Sequence, residues 1–183
     1  MAAERNVFTF NRKAEFGPGV ISTLLKVDAW ASSIGLDSPS DVSPGSTACD
    51  VIEQLAQSLI AEASGIEKQL LLKSLLEAFL YSVGLDTDLT AEEIMTRLRQ
   101  FVHHRGKAAI IEQFLSLYFF NRVWLGEARW SPAEDHEVVG LERMCRRAVI
   151  AAYAPDDLMD RSTAEILVHN IQTELRELMK LAG

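Results

Sequence analysis

Hydrophobic and polar residues recur at helical spacing through most of the chain, and one segment is far more apolar than the rest. Thirteen of the eighteen residues from Ala108 to Leu125 are apolar, and the five polar ones fall on several sides of a helical wheel. A helix that is apolar all round must be wrapped by other helices. This segment is therefore predicted to be the central helix of an all-α bundle.

Start and stop signals divide the rest of the pattern into further helices. A threonine or serine followed three residues later by an acid forms a capping box, in which the two side chains satisfy backbone N–H groups of the first turn. Such boxes are predicted at Thr47–Asp50, Thr90–Glu93, Ser131–Glu134 and Ser162–Glu165. Glycine and proline breakers complete the division. The predicted helices span residues 20–34, 47–64, 66–83, 90–105, 108–128, 132–154 and 162–182. The chain is thus expected to be a single-domain bundle of six or seven helices with an irregular N-terminal arm.

The N-terminal part differs from the rest of the pattern. An aromatic arm carrying Phe8, Phe10 and Phe16 precedes one candidate helix, and a turn-rich loop without periodicity follows that helix. Loops of this kind are linkers or partner-facing segments. We therefore divide the chain into an arm, one helix and a loop over residues 1–45, and a helical bundle over residues 46–183.

Composition and charge narrow the class of protein. At 183 residues, 48% hydrophobic and 24% charged, the chain matches an ordinary globular domain. Its formal net charge of -8 argues against a general nucleic-acid or acidic-membrane coat, because phosphate affinity comes from Lys and Arg. The N-terminus has no basic region followed by an apolar run and a cleavage site, so we expect a cytoplasmic protein. Polar residues such as Glu112 and Arg122 would be costly in lipid, so no membrane contact is expected.

Motifs for metals and cofactors are absent from the sequence. Cys49 and Cys145 lie far apart, without the spacing that zinc requires, and we expect both to be small buried thiols. There is no P-loop, no Gly-x-Gly-x-x-Gly after a strand, no Gly-x-Ser-x-Gly and no His-Glu-x-x-His. Neither a cofactor nor a metal is predicted, and the balance of the sequence leans away from an enzyme.

The segment from Arg97 to Lys107, which we call the basic corner, is markedly positive. No Asp or Glu occurs between Glu93 and Glu112, and the corner lies directly before the central helix. Cations at the end of a helix complement its dipole, which is the structural interpretation. The functional interpretation is an anion site, in which arginines bind phosphate oxygens and a histidine transfers a proton. The candidate anion-binding residues are Arg97, Arg99, His103, His104, Arg105 and Lys107.

The basic corner contains a motif of a known family. The stretch from Arg99 to His104 resembles the arginine, four-to-six residues, histidine pattern of HEPN-type ribonucleases. That family consists of small all-α domains that cleave RNA at a composite dimer site. The resemblance implies that Arg99 stabilises phosphate charge and that His104 is the general base or acid. Gln100 fits loosely the small polar residue that usually follows the arginine in that family.

The last predicted helix carries a heptad-like seam. Its apolar residues are spaced four, three, four, three and four apart, which is the spacing of coiled coils. The seam either packs on the chain's own bundle or holds a partner or a second copy. Together with the aromatic arm it supplies the candidate partner-binding residues, which are Phe8, Phe10, Phe16, Val168, Ile171, Leu175 and Leu178.

These observations favour a cytoplasmic α-helical interaction module. We expect it to be a subunit or accessory factor of a larger assembly, or a self-associating regulator, with a protein partner. The alternative is a HEPN-like ribonuclease, or another enzyme that binds RNA or a phosphate ligand at the basic corner. A ligand-sensing bundle with an aromatic pocket is a third possibility.

Overall fold

The computed structural model describes residues 18–34, 47–60, 63–84, 89–126, 135–153 and 159–182. Over those ranges the chain forms six α-helices and no strand, so the predicted all-α bundle is confirmed. The helices are α1 (Pro18–Ser33), α2 (Ala48–Leu59), α3 (Gly65–Val83), α4 (Ala91–Gly126), α5 (Asp135–Ala152) and α6 (Arg161–Ala182).

The bundle is built around α4, which contacts α1, α2, α3 and α5. Three of its aromatic side chains, Phe114, Tyr118 and Phe119, are fully buried. Burying such a side chain contributes roughly 1.5–3 kcal/mol relative to leaving it exposed. The prediction of a central helix wrapped by others is therefore confirmed.

The predicted break in α4 lies at Gly106. Its backbone angles, φ 79° and ψ 160°, fall outside the helical region and in one that almost only glycine adopts. The helix therefore consists of two segments that meet at this residue. The first segment carries the basic corner except Lys107, and the second consists of Lys107 and the apolar segment.

Of the four predicted capping boxes, that at Ser131–Glu134 lies outside the described residues, and two of the other three are present. Thr47 and Asp50 bond each other's backbone N–H at the start of α2, at 2.9 and 3.3 Å. Thr90 and Glu93 do the same at the start of α4, at 2.8 and 3.3 Å. In both cases hydrogen bonds from the threonine lower the pKa of the acid. These signals were readable in sequence because both partners lie within one turn.

The box predicted at Ser162–Glu165 is wrong. The N-cap of α6 is Asp160, whose Oδ1 accepts a hydrogen bond from the backbone N–H of Thr163 at 2.7 Å. The helix thus begins at Arg161, one residue before the predicted box. Ser162 lies inside the first turn, and Glu165 pairs with Arg161 at 3.0 Å instead.

The end of α2 also differs from the predicted helix over residues 47–64. The helix ends at Leu59, because Ile60 has extended backbone angles and its side chain is largely buried.

The helix α1 is part of the same core as the rest. Its inner face, including Val20, Leu24 and Val27, is fully buried, and α1 contacts α2, α3, α4 and α6. The pattern along the chain had grouped this helix with the N-terminal arm over residues 1–45. Its buried residues belong to the same core as those of α2 to α6, and the division of the chain into residues 1–45 and 46–183 stays a prediction.

A buried polar network joins α3 and α4. Asn121 of α4 is fully buried. Its amide donates to Ser74 Oγ and Glu77 Oε2 at 3.1 and 3.0 Å, and its carbonyl oxygen accepts from Lys73 Nζ at 2.8 Å. A buried amide left without such partners would be unfavourable. The network therefore favours one register of these two helices.

Candidate functional site: an arginine-lined groove

Three of the six residues of the basic corner bond other parts of the chain. Arg97 donates from a terminal guanidinium nitrogen to the Val83 carbonyl oxygen at 3.1 Å, and Arg99 Nε donates to the Ile34 carbonyl oxygen at 3.2 Å. These carbonyls lie at the C-terminal ends of α3 and α1, where backbone oxygens lack helical partners and cations are favoured. Arg97 and Arg99 thus complement helix C-termini, as the structural interpretation of the basic corner predicts. The helices concerned are α3 and α1, not α4, which carries the two arginines.

Lys107 also has a partner inside the molecule. Its Nζ lies 2.8 Å from Asp28 Oδ1 of α1. The two atoms are close but not aligned as a hydrogen bond, so the contact is an ion pair. Arg97, Arg99 and Lys107 are thereby engaged with other groups of the chain.

The other three residues of the corner face outward. His103, His104 and Arg105 are exposed, and the two imidazole rings meet edge to face with their centroids 5.3 Å apart. Arg105 lies directly before the Gly106 break. These three side chains are the part of the corner that a ligand could reach.

Arg105 lines a groove between α3, α4 and α5, which we call the arginine groove. Its volume is about 280 Å³. One wall carries the exposed ring of Tyr81 from α3, and the other carries Arg146 from α5. The full lining consists of Tyr81, Phe101, Arg105, Ala109, Glu112, Gln113, Ser116 and Arg146.

A second cleft of about 260 Å³ adjoins the groove and shares Phe101 and Arg105 with it. Arg97 and His104 both line this cleft. The two clefts form one surface that follows α4 across the Gly106 break.

The arginine groove carries more positive than negative side chains. Within the described chain, neither Arg105 nor Arg146 makes a hydrogen bond or an ion pair with another residue. Glu112 lies in the same groove without an ion pair. A guanidinium is always charged and presents a planar set of donors that fits a carboxylate or phosphate. The groove can therefore take an anionic group from outside.

The structure does not bring the two catalytic candidates together. Arg99 is bonded to the end of α1, whereas His104 lines the cleft beside Val83 and Arg97. Five residues on a helix separate two side chains by roughly 140°, which places them on different sides. Of the pair implied by the ribonuclease resemblance, Arg99 therefore makes a structural contact, and His104 lines an open cleft.

Sequence reasoning missed Tyr81 and Arg146. They come from helices other than the one with the basic corner, and only the packing of α3 and α5 on α4 brings them to Arg105. A signal for Arg146 was present in the sequence. Arg143, Arg146 and Arg147 form a second basic group, and all three are exposed.

The expected partner-binding seam of α6 needs a correction. Val168, Ile171 and Leu175 are at most 3% exposed, and Leu178 is half-buried. These side chains pack on the chain's own core, which was the alternative interpretation of the seam. A partner therefore cannot reach Val168, Ile171 or Leu175 while the bundle is folded. The other partner-binding candidates, Phe8, Phe10 and Phe16, lie outside the described residues.

The expected pair of buried cysteines is half right. Cys145 is buried in α5, where desolvation raises the pKa of its thiol to about 12. Cys49 is exposed, because it lies in the first turn of α2, whose buried face starts at Val51. Burial likewise raises the pKa of Tyr118, whose ring is part of the core.

Within the ranges described above, no three His, Cys, Asp or Glu side chains are grouped so as to hold a metal ion. None of the described helices combines the length and apolarity needed to cross a membrane. In comparisons with known proteins, no family model, no curated protein and no solved structure matches the chain.

Proposed function

We propose that this chain is a helical interaction module, a subunit or accessory factor of a larger assembly, which holds a protein partner at the arginine groove. The observation that carries the proposal is that Arg105 and Arg146, from two different helices, face one groove and have no hydrogen-bond or ion-pair partner among the described residues. Arginine and exposed aromatic residues are enriched at the centres of protein interfaces. Tyr81, which is 61% exposed, supplies such an aromatic residue at the rim.

The rest of the basic corner supports a binding role over an enzymatic one. A catalytic arginine and histidine must converge on one reacting group. Arg99, the arginine of the ribonuclease-like motif, is instead occupied at the end of α1. Arg97 and His104 do share a cleft, so an RNA-cleavage assay with His104→Ala is the appropriate test of the alternative. Equal, negligible cleavage by both proteins is the result we expect.

Charge reversal in the groove tests the proposal. Tagged wild-type protein and the double variant Arg105→Glu/Arg146→Glu are purified from the cells that make the protein, and the co-purifying proteins are quantified by mass spectrometry. We expect a partner to be recovered in fixed ratio with the wild type and to be lost with the double variant. Light scattering of the purified chain shows whether that partner is a second copy.

The matched control is the double variant Arg143→Glu/Arg147→Glu. These arginines are also exposed and unpaired, and they lie on α5 without lining the groove. They undergo the same change of charge, so the control should keep the partner. Equal recovery with both double variants, or no partner in fixed ratio with the wild type, would refute the proposal.

A further inference from the structure

We infer that the ligand of the arginine groove is an acidic peptide segment of the partner, with carboxylates that bind Arg105 and Arg146 and an apolar side chain that packs on Tyr81 and Phe101. This inference rests on the proposed function. It is argued from the charge, the shape and the mixed polarity of the groove.

Charge complementarity selects an anionic ligand. Two guanidinium groups without an internal partner face the same groove, and the exposed His104 lines the adjoining cleft. Two cations close together raise each other's energy, and an anion between them removes that repulsion. Arginine binds a carboxylate through two parallel hydrogen bonds, which also orients the ligand.

The shape of the surface selects a chain rather than a single ion. The two clefts share Phe101 and Arg105 and together follow α4 from Arg97 to Ser116. Nineteen residue steps at 1.5 Å each give roughly 28 Å along the two helical segments. An extended peptide of about eight or nine residues covers that length.

The polar groups of the groove favour a peptide over a nucleic acid. Glu112, without an ion pair of its own, lies in the groove with Gln113 and Ser116. A carboxylate repels a phosphate backbone, which has few hydrogen-bond donors. A peptide carries a backbone N–H at nearly every residue, and Glu112 can accept such a bond.

The aromatic side chains provide an apolar anchor beside the cations. Tyr81 is 61% exposed and Phe101 is partly buried, and both line the groove next to Arg105. A leucine or aromatic side chain of the ligand would bury apolar surface there. The expected ligand is therefore acidic with at least one large apolar residue, and not a uniformly acidic tract.

A displayed library of random peptides tests this inference on the intact protein. Selection on the wild type is expected to enrich Asp and Glu together with a large apolar residue, and selection on Arg105→Gln/Arg146→Gln is expected to lose that enrichment. A selected peptide is then synthesised with a fluorescent label for anisotropy titrations. We expect Arg105→Gln and Arg146→Gln each to weaken binding by about tenfold, Tyr81→Ala to weaken it, and the control Arg147→Gln to leave it unchanged.

Two matched probes separate the ligand classes. The selected peptide with Gln in place of Asp and Glu should lose binding, and a single-stranded RNA oligonucleotide should not compete. Enrichment of neutral or basic peptides, equal binding of the Gln peptide, or displacement by RNA would overturn the inference. If a native partner is lost in the Arg105→Glu/Arg146→Glu protein but acidic peptides do not bind, the inference fails and the proposed function stands. If no native partner depends on the groove, the proposed function fails whatever the peptides do.

Discussion

Lys107 Nζ lies 2.8 Å from Asp28 Oδ1, so that the start of the second segment of α4 is joined to α1 by an ion pair. The side chains are 28% and 12% exposed, respectively. Lys107 had been a candidate anion-binding residue. In the folded chain its charge is directed to a largely buried carboxylate.

Removal of Lys107 is therefore expected to destabilise the protein. Lys107→Met leaves the Asp28 carboxylate partly desolvated and unpaired, and we expect the free energy of unfolding to fall by about 2 kcal/mol, less than for a fully buried pair because the site keeps some solvent. The measurement is a urea unfolding curve. Lys180→Met is the control, because Lys180 and Glu177 form an exposed pair, with 70% and 59% of the side chains accessible, which contributes little. Equal effects of the two variants would contradict the prediction.

Two leucines of α6 allow a direct test of the corrected seam. Leu175 is fully buried and Leu181 is 85% exposed. Leu175→Ala should lower the free energy of unfolding by about 2–5 kcal/mol through lost burial and a cavity, whereas Leu181→Ala should change it by less than about 0.5 kcal/mol. Thermal unfolding of both variants gives the comparison. A stable Leu175→Ala protein that has lost an oligomeric contact would restore the seam as a partner surface.

Two glycines should respond to alanine in opposite directions. Gly106 has a φ of 79°, and Gly106→Ala is expected to destabilise the protein by about 1–3 kcal/mol because a side chain is strained there. Gly140 lies inside α5, and a Cβ added to it meets nothing within 4 Å. Gly140→Ala should therefore stabilise the protein by about 0.5–1 kcal/mol. A Gly106→Ala protein that is as stable as the wild type in urea unfolding would show that the break at Gly106 is not a strained position.

The N-cap of α6 predicts a pH dependence. The hydrogen bond from the Thr163 backbone lowers the pKa of Asp160 below its ordinary value of 3.8. A carboxyl group whose pKa is lower in the folded state stabilises the fold above its unfolded pKa, and this stabilisation is lost as the pH falls through the folded pKa. Asp160→Asn keeps a capping oxygen but does not titrate.

We therefore expect nearly equal melting temperatures for wild type and Asp160→Asn at pH 7. Between about pH 5 and pH 3 the wild type should lose more stability than the variant. Melting temperatures measured across this range provide the test, with Asp160→Ala as the variant that lacks the cap at every pH. Parallel curves for the wild type and Asp160→Asn would contradict the assigned cap.

The two cysteines should differ in reactivity. Cys49 is exposed, and Cys145 is buried with its pKa raised to about 12 by desolvation. Because the thiolate is the reactive form, a maleimide at neutral pH should label Cys49 in the folded protein and both residues in denaturant. Intact mass spectrometry counts the labels, and Cys49→Ser should abolish labelling of the folded state. Rapid native labelling of Cys145 would contradict its burial in α5.

The sequence predicted those features whose causes lie within one or two helical turns. The capping boxes at Thr47 and Thr90 and the break at Gly106 are of this kind. The start of α6 was missed because Asp160 and Ser162 are both good caps, and only the surrounding fold selects between them.

The groove depends on contacts between distant parts of the chain, so it could not be predicted in this way. Arg146 of α5 and Tyr81 of α3 reach Arg105 only through helix packing. The basic corner was visible as a run of positive charge, but its division into structural and free cations was not. Arg99 bonds a carbonyl oxygen 65 residues away, which no local pattern reveals.

The contacts of Arg97 and Arg99 also bear on how the chain is made. The carbonyl oxygens of Val83 and Ile34, at the ends of α3 and α1, accept hydrogen bonds from side chains of α4. A growing chain that stops before residue 91 has neither donor, and it also lacks the apolar face of α4 on which α1, α2 and α3 pack. The core that α1, α2 and α3 share with α4 can therefore form only after α4 has been synthesised.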